Sequence, residues 1–200
     1  MAQRRAPRRR ASPPKKRPAS RGKRATSHQP LATSLYRLAV RTGAALQRAG
    51  LMMVTAESCT GGGIASAITM VPGSSEWFER GYVTYTNLSK REMLGVAEQT
   101  LADHGAVSEE TVLEMVTGAL DRSHAQIAVA VTGIAGPGGA TPGKPVGTVC
   151  FGWVTLETAP IAETCRFSGD REAVRRKSVE HALNGLLKLL GLGEAEQVTS

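Results

Sequence analysis

The amino-acid sequence predicts an α/β fold, a three-layer α/β/α sandwich built on a mostly parallel mixed sheet. Three observations carry that prediction. Apolar runs of strand length alternate with segments whose apolar residues recur at helical spacing. Glycine-rich turns follow two of these runs, at Gly61–Gly63 and Gly133–Gly139, where open α/β sheets place their loops. Two further runs, Thr148–Leu156 and Ile161–Phe167, adjoin around Ala159-Pro160 as a hairpin. Alternating elements call for helices on both sheet faces, and the hairpin makes the sheet mixed.

The elements follow in order. From Leu31, residues Leu35, Leu38, Ala39, Ala45 and Leu46 recur at helical spacing and stop at Gly50, a C-cap. Leu51–Ala56 reads as a buried strand. Gly61–Met70, rich in small residues, reads as a closely packed helix ending before Pro72. Tyr82–Thr86 is a short strand, and a helix runs from about Leu88 to Leu94. Val112, Met115, Val116, Ala119 and Leu120 mark a helix that Ser108 caps. Gln126–Thr132 is an apolar, β-branched strand that opens into the Gly/Pro loop Gly133–Gly147. Asp170–Leu190 closes the chain as a helix, with Val174, Ala182, Leu183, Leu186, Leu187 and Leu190 apolar. No internal repeat is present.

Charge divides the chain. Of 25 Lys and Arg, 11 lie between Arg4 and Arg24, and the first acidic residue is Glu57. Residues 25–200 hold 14 basic and all 17 acidic side chains, a net charge of −3. The pI of about 9.9 therefore belongs to the first segment and does not mark the whole chain as a nucleic-acid binder. Residues 1–30 lack apolar anchors and are expected to form a disordered basic tail. Such a tail serves as a solubilising extension or, through residues 4–24, as a weak, salt-sensitive contact to a polyanion. Residues 31–192 form the folded domain, and 193–200 a flexible end. The segment lacks the h-region of a secretory signal and the apolar face of a transit peptide. No apolar run approaches the roughly 20 residues that span a bilayer, so no membrane association is expected. Cys59, Cys150 and Cys165 cannot all pair internally, which points to a reducing cytoplasm.

Four segments carry chemistry. In Thr55–Gly63 a buried strand passes through a tight polar turn into a helix start. Helix-start amides attract an anion or a developing oxyanion, and glycines let a ligand approach the backbone. Ser58 stands where a nucleophile would use the amides of Thr60, Gly61 and Gly62; alternatively, Ser58 and Thr60 only cap the helix. Cys59 is a rival nucleophile or a packed thiol. In Tyr82–Lys90, Tyr85 ends the strand and Lys90 opens the next helix, against the macrodipole. A serine needs a base, and no His lies near Ser58 in sequence. A desolvated Lys90 of lowered pKa fills that role with Tyr85 relaying or orienting the proton, although a surface Lys beside a core Tyr is the plainer reading. The Tyr85-to-Lys90 spacing is not that of short-chain dehydrogenases, which disfavours that type of nicotinamide oxidoreductase.

The third segment, Thr132–Gly139 with Lys144–Gly147, resembles a phosphate or ribose cradle of backbone amides, with Thr132, Gly133 and Gly136 its candidate contacts. It is neither a Walker loop nor a Rossmann fingerprint, since no Gly-Lys-Ser/Thr follows and its glycines open no long helix. In the fourth, Phe167–Arg171, a cation at the helix start favours a nearby anion, which makes Arg171 a candidate phosphate ligand. Arg175, Arg176 and Lys177 serve equally as a solvated face. His104, His124 and His181 stand singly. No His/Cys/carboxylate cluster suggests a metal, and no cofactor is expected. Neither a Gly-x-Ser-x-Gly elbow nor a His-Glu-x-x-His motif occurs.

Together these segments resemble the C-terminal domain family of the competence/damage-inducible protein CinA. The matching stretches are AESCTGG (Ala56–Gly62), PGSS (Pro72–Ser75), VTYTNLSK (Val83–Lys90), GAVSEE (Gly105–Glu110), VTGIAGPGG (Val131–Gly139), KPVGTV (Lys144–Val149) and FSGDR (Phe167–Arg171). The likeness runs from about Leu35 to Leu190 in the family's order. Its stand-alone form is a nicotinamide-nucleotide amidase. The resemblance therefore implies hydrolysis of nicotinamide mononucleotide, a small-molecule nucleotide, to nicotinate mononucleotide and ammonia. It makes Ser58 the nucleophile, Lys90 the base and Tyr85 its partner, and it implies a homodimer. The other reading is a non-catalytic nucleotide- or phosphate-binding module whose tail contacts nucleic acid.

Overall fold

The structure, a computed structural model, describes residues 29–192, with side chains from Ser34 onward. The segments 1–30 and 193–200 lie outside the described residues, except that Gln29 and Pro30 begin the first helix and do not belong to a tail. The order is α1 (Gln29–Ala49), β1 (Met53–Glu57), α2 (Gly63–Thr69), a 3-10 turn at Ser74–Glu76, β2 (Phe78–Val83), α3 (Asn87–Leu94), α4 (Glu98–His104), α5 (Glu109–Asp121), β3 (Ile127–Gly133), β4 (Thr148–Thr155), β5 (Ile161–Arg166) and α6 (Arg171–Leu189). The sheet runs β2-β1-β3-β4-β5. β1 pairs in parallel with β2 and β3, while β4 is antiparallel to both of its neighbours. Four strands thus point one way and β4 alone is reversed, as the expected hairpin requires.

Strand alternation sorts the core onto two faces. Met53, Ile127, Val129, Val131, Val149, Phe151 and Trp153 pack with residues of α1, α2 and α6. Val54, Ala56, Ala128, Ala130, Cys150 and Val154 pack with α3, α4 and α5. The three layers are those expected, and β1 and β3 are buried along almost their whole length. Among the described residues no helix is long and apolar enough to cross a membrane.

Two expected boundaries are corrected. The strand placed at Tyr82–Thr86 is Phe78–Val83; Tyr85 falls beyond its end, and Thr86 caps α3. The error has a physical source. β2 is an edge strand whose sequence, Phe-Glu-Arg-Gly-Tyr-Val, carries two charges, and solvated edges lack an apolar run. The short helix α4 went unpredicted because Leu101 is its single buried residue.

One packing detail holds α6 against the sheet. The Trp153 indole Nε1 donates to the Ala182 carbonyl at 3.0 Å, and its ring lies against Gly185. A Cβ at Gly185 would overlap the indole. Gly185→Ala is accordingly expected to lower the unfolding free energy by about 1–3 kcal/mol, the usual cost of overpacking. Urea denaturation checks this, and an unchanged midpoint would show that the indole shifts freely.

Candidate active site

The site grows from the carboxyl end of β1. Glu57 is fully buried, and its carboxylate accepts three hydrogen bonds: from Thr60 Oγ1 at 2.7 Å, Ile64 N at 2.9 Å and Ala65 N at 2.8 Å. Two of these donors belong to the first turn of α2, so the carboxylate caps the helix from seven and eight residues upstream. The chain between must fold back tightly, and Gly61 and Gly62 do so with φ of 58° and 88°, where a side chain would be strained. Ser58 is pinned at both ends: its amide donates to Val131 O at 2.9 Å, and its carbonyl accepts from Gly61 N at 3.0 Å.

This arrangement modifies the expected anion cradle. The amides of Ile64 and Ala65 are occupied by Glu57, and that of Gly61 by Ser58. The alternative in which Ser58 and Thr60 merely cap the helix is corrected as well. Thr60 bonds Glu57, and the N-cap of α2 is Gly62, which has no side chain to cap with.

Lys90, 32 residues from Ser58, reaches it from α3. A capping box between Thr86 and Ser89 starts that helix, and the amide of Thr84 joins the chain beyond β2 to Glu57 O at 2.8 Å. The Lys90 side chain points inward and is only 1% exposed. Its Nζ lies 3.1 Å from Ser58 Oγ and 2.9 Å from Thr84 O. Burial pushes its pKa down from 10.5 to about 8. The reading of Lys90 as a surface residue is therefore corrected. Burial acts oppositely on Cys59, pushing its thiol up to about 12, so that it stays protonated and is a poor nucleophile at neutral pH.

The remaining candidates meet around α6, which Asp170 caps. Arg171 donates to Gly136 O at 2.8 Å and to the Tyr85 hydroxyl at 2.6 Å. Tyr85, 55% exposed, thus engages the guanidinium, and no hydrogen bond joins it to Lys90 or Ser58. One turn along α6, Arg175 donates to Thr60 O at 2.6 Å, binding the helix to the Ser58 turn. Thr132 turns its hydroxyl to Ala106 O at 2.7 Å, and Gly133 ends β3 beside Val149. Thr60, Gly61, Gly136, Arg171 and Tyr85 therefore share one neighbourhood with Ser58 and Lys90.

Glu57 escaped sequence reasoning, and the contact of Arg175 with the Ser58 turn was not foreseen although its basic face was. Glu57 is an acid ending an apolar strand, which was itself a signal. Arg175 stands one helical turn after Arg171, a spacing that places both on one face. Residue spacing also suggested no His/Cys/carboxylate cluster, and the fold makes one at Glu163, Cys165 and His181, with β3 and β4 between its strand and β1.

A serine and a buried lysine joined across two parallel strands, at the carboxyl end of an α/β/α sheet, define a recognisable class. The chain belongs to the CinA C-terminal domain family, whose model matches residues 35–190. Within it, the chain is 56% identical to the nicotinamide-nucleotide amidohydrolase PncC of Pseudomonas putida, covering 76% of this chain and 94% of that protein. It is 51% identical to PncC of Escherichia coli K12, with 77% and 93% covered. The crystal structure of the competence/damage inducible protein CihA from Agrobacterium tumefaciens superposes with a TM-score of 0.75 at 47% identity, covering 78% of this chain and 95% of that one.

Glu57→Gln is expected to lower the unfolding free energy by about 1–3 kcal/mol, because an amide cannot accept from all three donors and leaves a buried one unpaired. Chemical denaturation measures this. A loss below about 0.5 kcal/mol, the level of ordinary surface changes, would show that the carboxylate does not hold the turn.

Proposed function

We propose that the chain hydrolyses nicotinamide mononucleotide to nicotinate mononucleotide and ammonia through an acyl-enzyme on Ser58. The observation that carries this reading is the 3.1 Å approach of Lys90 Nζ to Ser58 Oγ in a setting that disfavours an ammonium. Similarity to the proteins named PncC supplies the substrate. With a pKa of about 8, roughly a tenth of the lysines are uncharged at pH 7. The free amine takes the Ser58 proton as Oγ attacks the carboxamide carbon. The resulting oxyanion faces the turn after Ser58, where the Thr60 and Gly62 amides serve it. Collapse returns the proton from Lys90 to the leaving nitrogen and releases ammonia. A water, deprotonated by Lys90, then attacks the ester, freeing the nicotinate carboxylate and restoring Ser58. The course calls on no cofactor.

The 5′-phosphate falls to Arg171 and the Thr132–Gly136 loop. Tyr85 acts through Arg171, holding the guanidinium, which revises its expected role as partner of the base. The domain at 31–192 carries the chemistry. The basic residues 4–24, ahead of that domain, offer weak polyanion contact. We place the enzyme in the cytoplasm, where the three free thiols stay reduced. Exposed Val83, Tyr85 and Leu88 supply apolar surface for a second copy in a dimer.

Ammonia release from nicotinamide mononucleotide tests the reading. Ser58→Ala and Lys90→Ala are expected to lose about a thousandfold or more in kcat. Since Lys90 works unprotonated, wild-type kcat should rise with pH through about 8 and level off above it. Absence of ammonia with wild type would exclude the amidase reading, and robust turnover by Ser58→Ala would exclude the acyl-enzyme.

Tyr85→Phe separates the two roles of the phenol. Loss of one hydrogen bond to Arg171 is expected to raise KM about tenfold with kcat nearly unchanged. A fall confined to kcat would return Tyr85 to the base.

A further inference from the structure

β5 and α6 bring together three side chains that the amidase reading leaves unused. Strand period places Glu163 and Cys165 on one face of β5, opposite Phe151 and Val149 of β4, whose side chains belong to the core shared with α6. His181 projects from α6 onto that face. Its ring is held by Phe151 at a centroid distance of 4.5 Å and by Trp153 and Phe167 at 5.9 Å each. His181 Nε2 lies 3.5 Å from Cys165 Sγ and 3.2 Å from Glu163 Oε2, and Cys165 Sγ lies 3.4 Å from Glu163 Oε1.

These separations have a geometric meaning. A tetrahedral ion with bonds of about 2.3 Å to sulfur and about 2.0–2.1 Å to nitrogen and oxygen has edges of roughly 3.3–3.6 Å between ligand atoms. The sulfur and the imidazole nitrogen already stand at the ends of one such edge, and the Glu163 carboxylate lies against both, one oxygen beside the nitrogen and the other beside the sulfur, so that a small rotation brings one oxygen to the third corner. The imidazole is fixed by the aromatic core, and the Glu163 side chain, 52% exposed, leaves the fourth corner open to water. We propose that Glu163, Cys165 and His181 bind one borderline divalent transition-metal ion of the zinc type, which cross-links the edge strand β5 to α6. Thiolate and imidazole select that class over magnesium or calcium, which take oxygen donors. On binding, the thiol proton leaves to solvent, the imidazole binds as the neutral tautomer protonated at Nδ1, and water completes the shell.

The site is independent of the amidase reading, and no group in it touches Ser58 or Lys90. The bound ion joins β5 to the helix whose first two turns carry Arg171 and Arg175.

Titration of the chelator-stripped full chain with Co2+ tests the proposal. One equivalent is expected to give thiolate-to-cobalt charge-transfer absorption together with intense tetrahedral d–d bands, and one equivalent of Zn2+ should abolish both. Cys165→Ser, a near-isosteric change at a half-buried position, should remove the charge-transfer band and weaken Zn2+ binding by more than about tenfold, the loss that even an outer-shell partner causes. Glu163→Gln should weaken binding and keep the band, and Ser58→Ala should bind as wild type does. Circular dichroism verifies that each variant is folded. Absence of the band from wild type at one equivalent, or its persistence in folded Cys165→Ser, would overturn the assignment.

Discussion

The architecture of the site depends on one buried carboxylate. Glu57 ends the strand that sits between β2 and β3, and a carboxylate in that position is tolerable only when donors surround it. Those donors come from the next helix, so satisfying the charge forces the chain to reverse within a few residues. Ser58 lies inside that reversal, with its backbone bonded to β3 and to its own turn. The hydroxyl is therefore presented by a rigid loop whose shape is dictated by an electrostatic requirement one residue away. The loop's glycines are the consequence, since the reversal needs left-handed backbone at two successive residues.

Low polarizability of the surroundings then divides the labour between two neighbouring groups. Burial favours the uncharged form of any titratable side chain. For Cys59 the uncharged form is a thiol, which is inert; for Lys90 it is an amine, which is a base. The same burial thus raises the thiol pKa and lowers that of the amine. Lys90 keeps two polar contacts there, the Thr84 carbonyl and the Ser58 hydroxyl. Both accept from the amine, and together they fix its position beside Ser58.

What was legible in the sequence follows the same physics. β1 and β3 were readable because burial on both faces demands unbroken apolar runs, and the cap at Ser108 was readable because capping is local. β2 was not, since an edge strand with Glu79 and Arg80 lacks that run. The Ser58–Lys90 contact spans 32 residues and depends on the parallel register that sets Glu57 beside Val83, which no local pattern encodes. Motif resemblance brought these two residues together; composition and spacing alone left each with a plainer alternative. The role of Glu57 and the grouping of Cys165 with His181 had no resemblance to bring them forward, because each depends on how a strand packs against the helix that follows it.

Helix α6 decides whether these local solutions add up to a site. Its first turns carry Arg171 to Gly136 and Tyr85, and Arg175 to the carbonyl of Thr60. One guanidinium therefore spans the second and third sequence motifs, while the other grips the first. A shift of α6 along its axis would move both arginines relative to Ser58 by the same amount. Such a shift is opposed farther along the helix, where Trp153 bonds Ala182 and fills the notch at Gly185. Phe151 stacks on Trp153 and packs against His181, which continues that anchor toward the edge strand. The distance between Ser58 and its charged surroundings is thus set by aromatic packing two to four helical turns away. Bulk at the helix–sheet contact is therefore a determinant of site geometry although none of it touches Ser58 or Lys90.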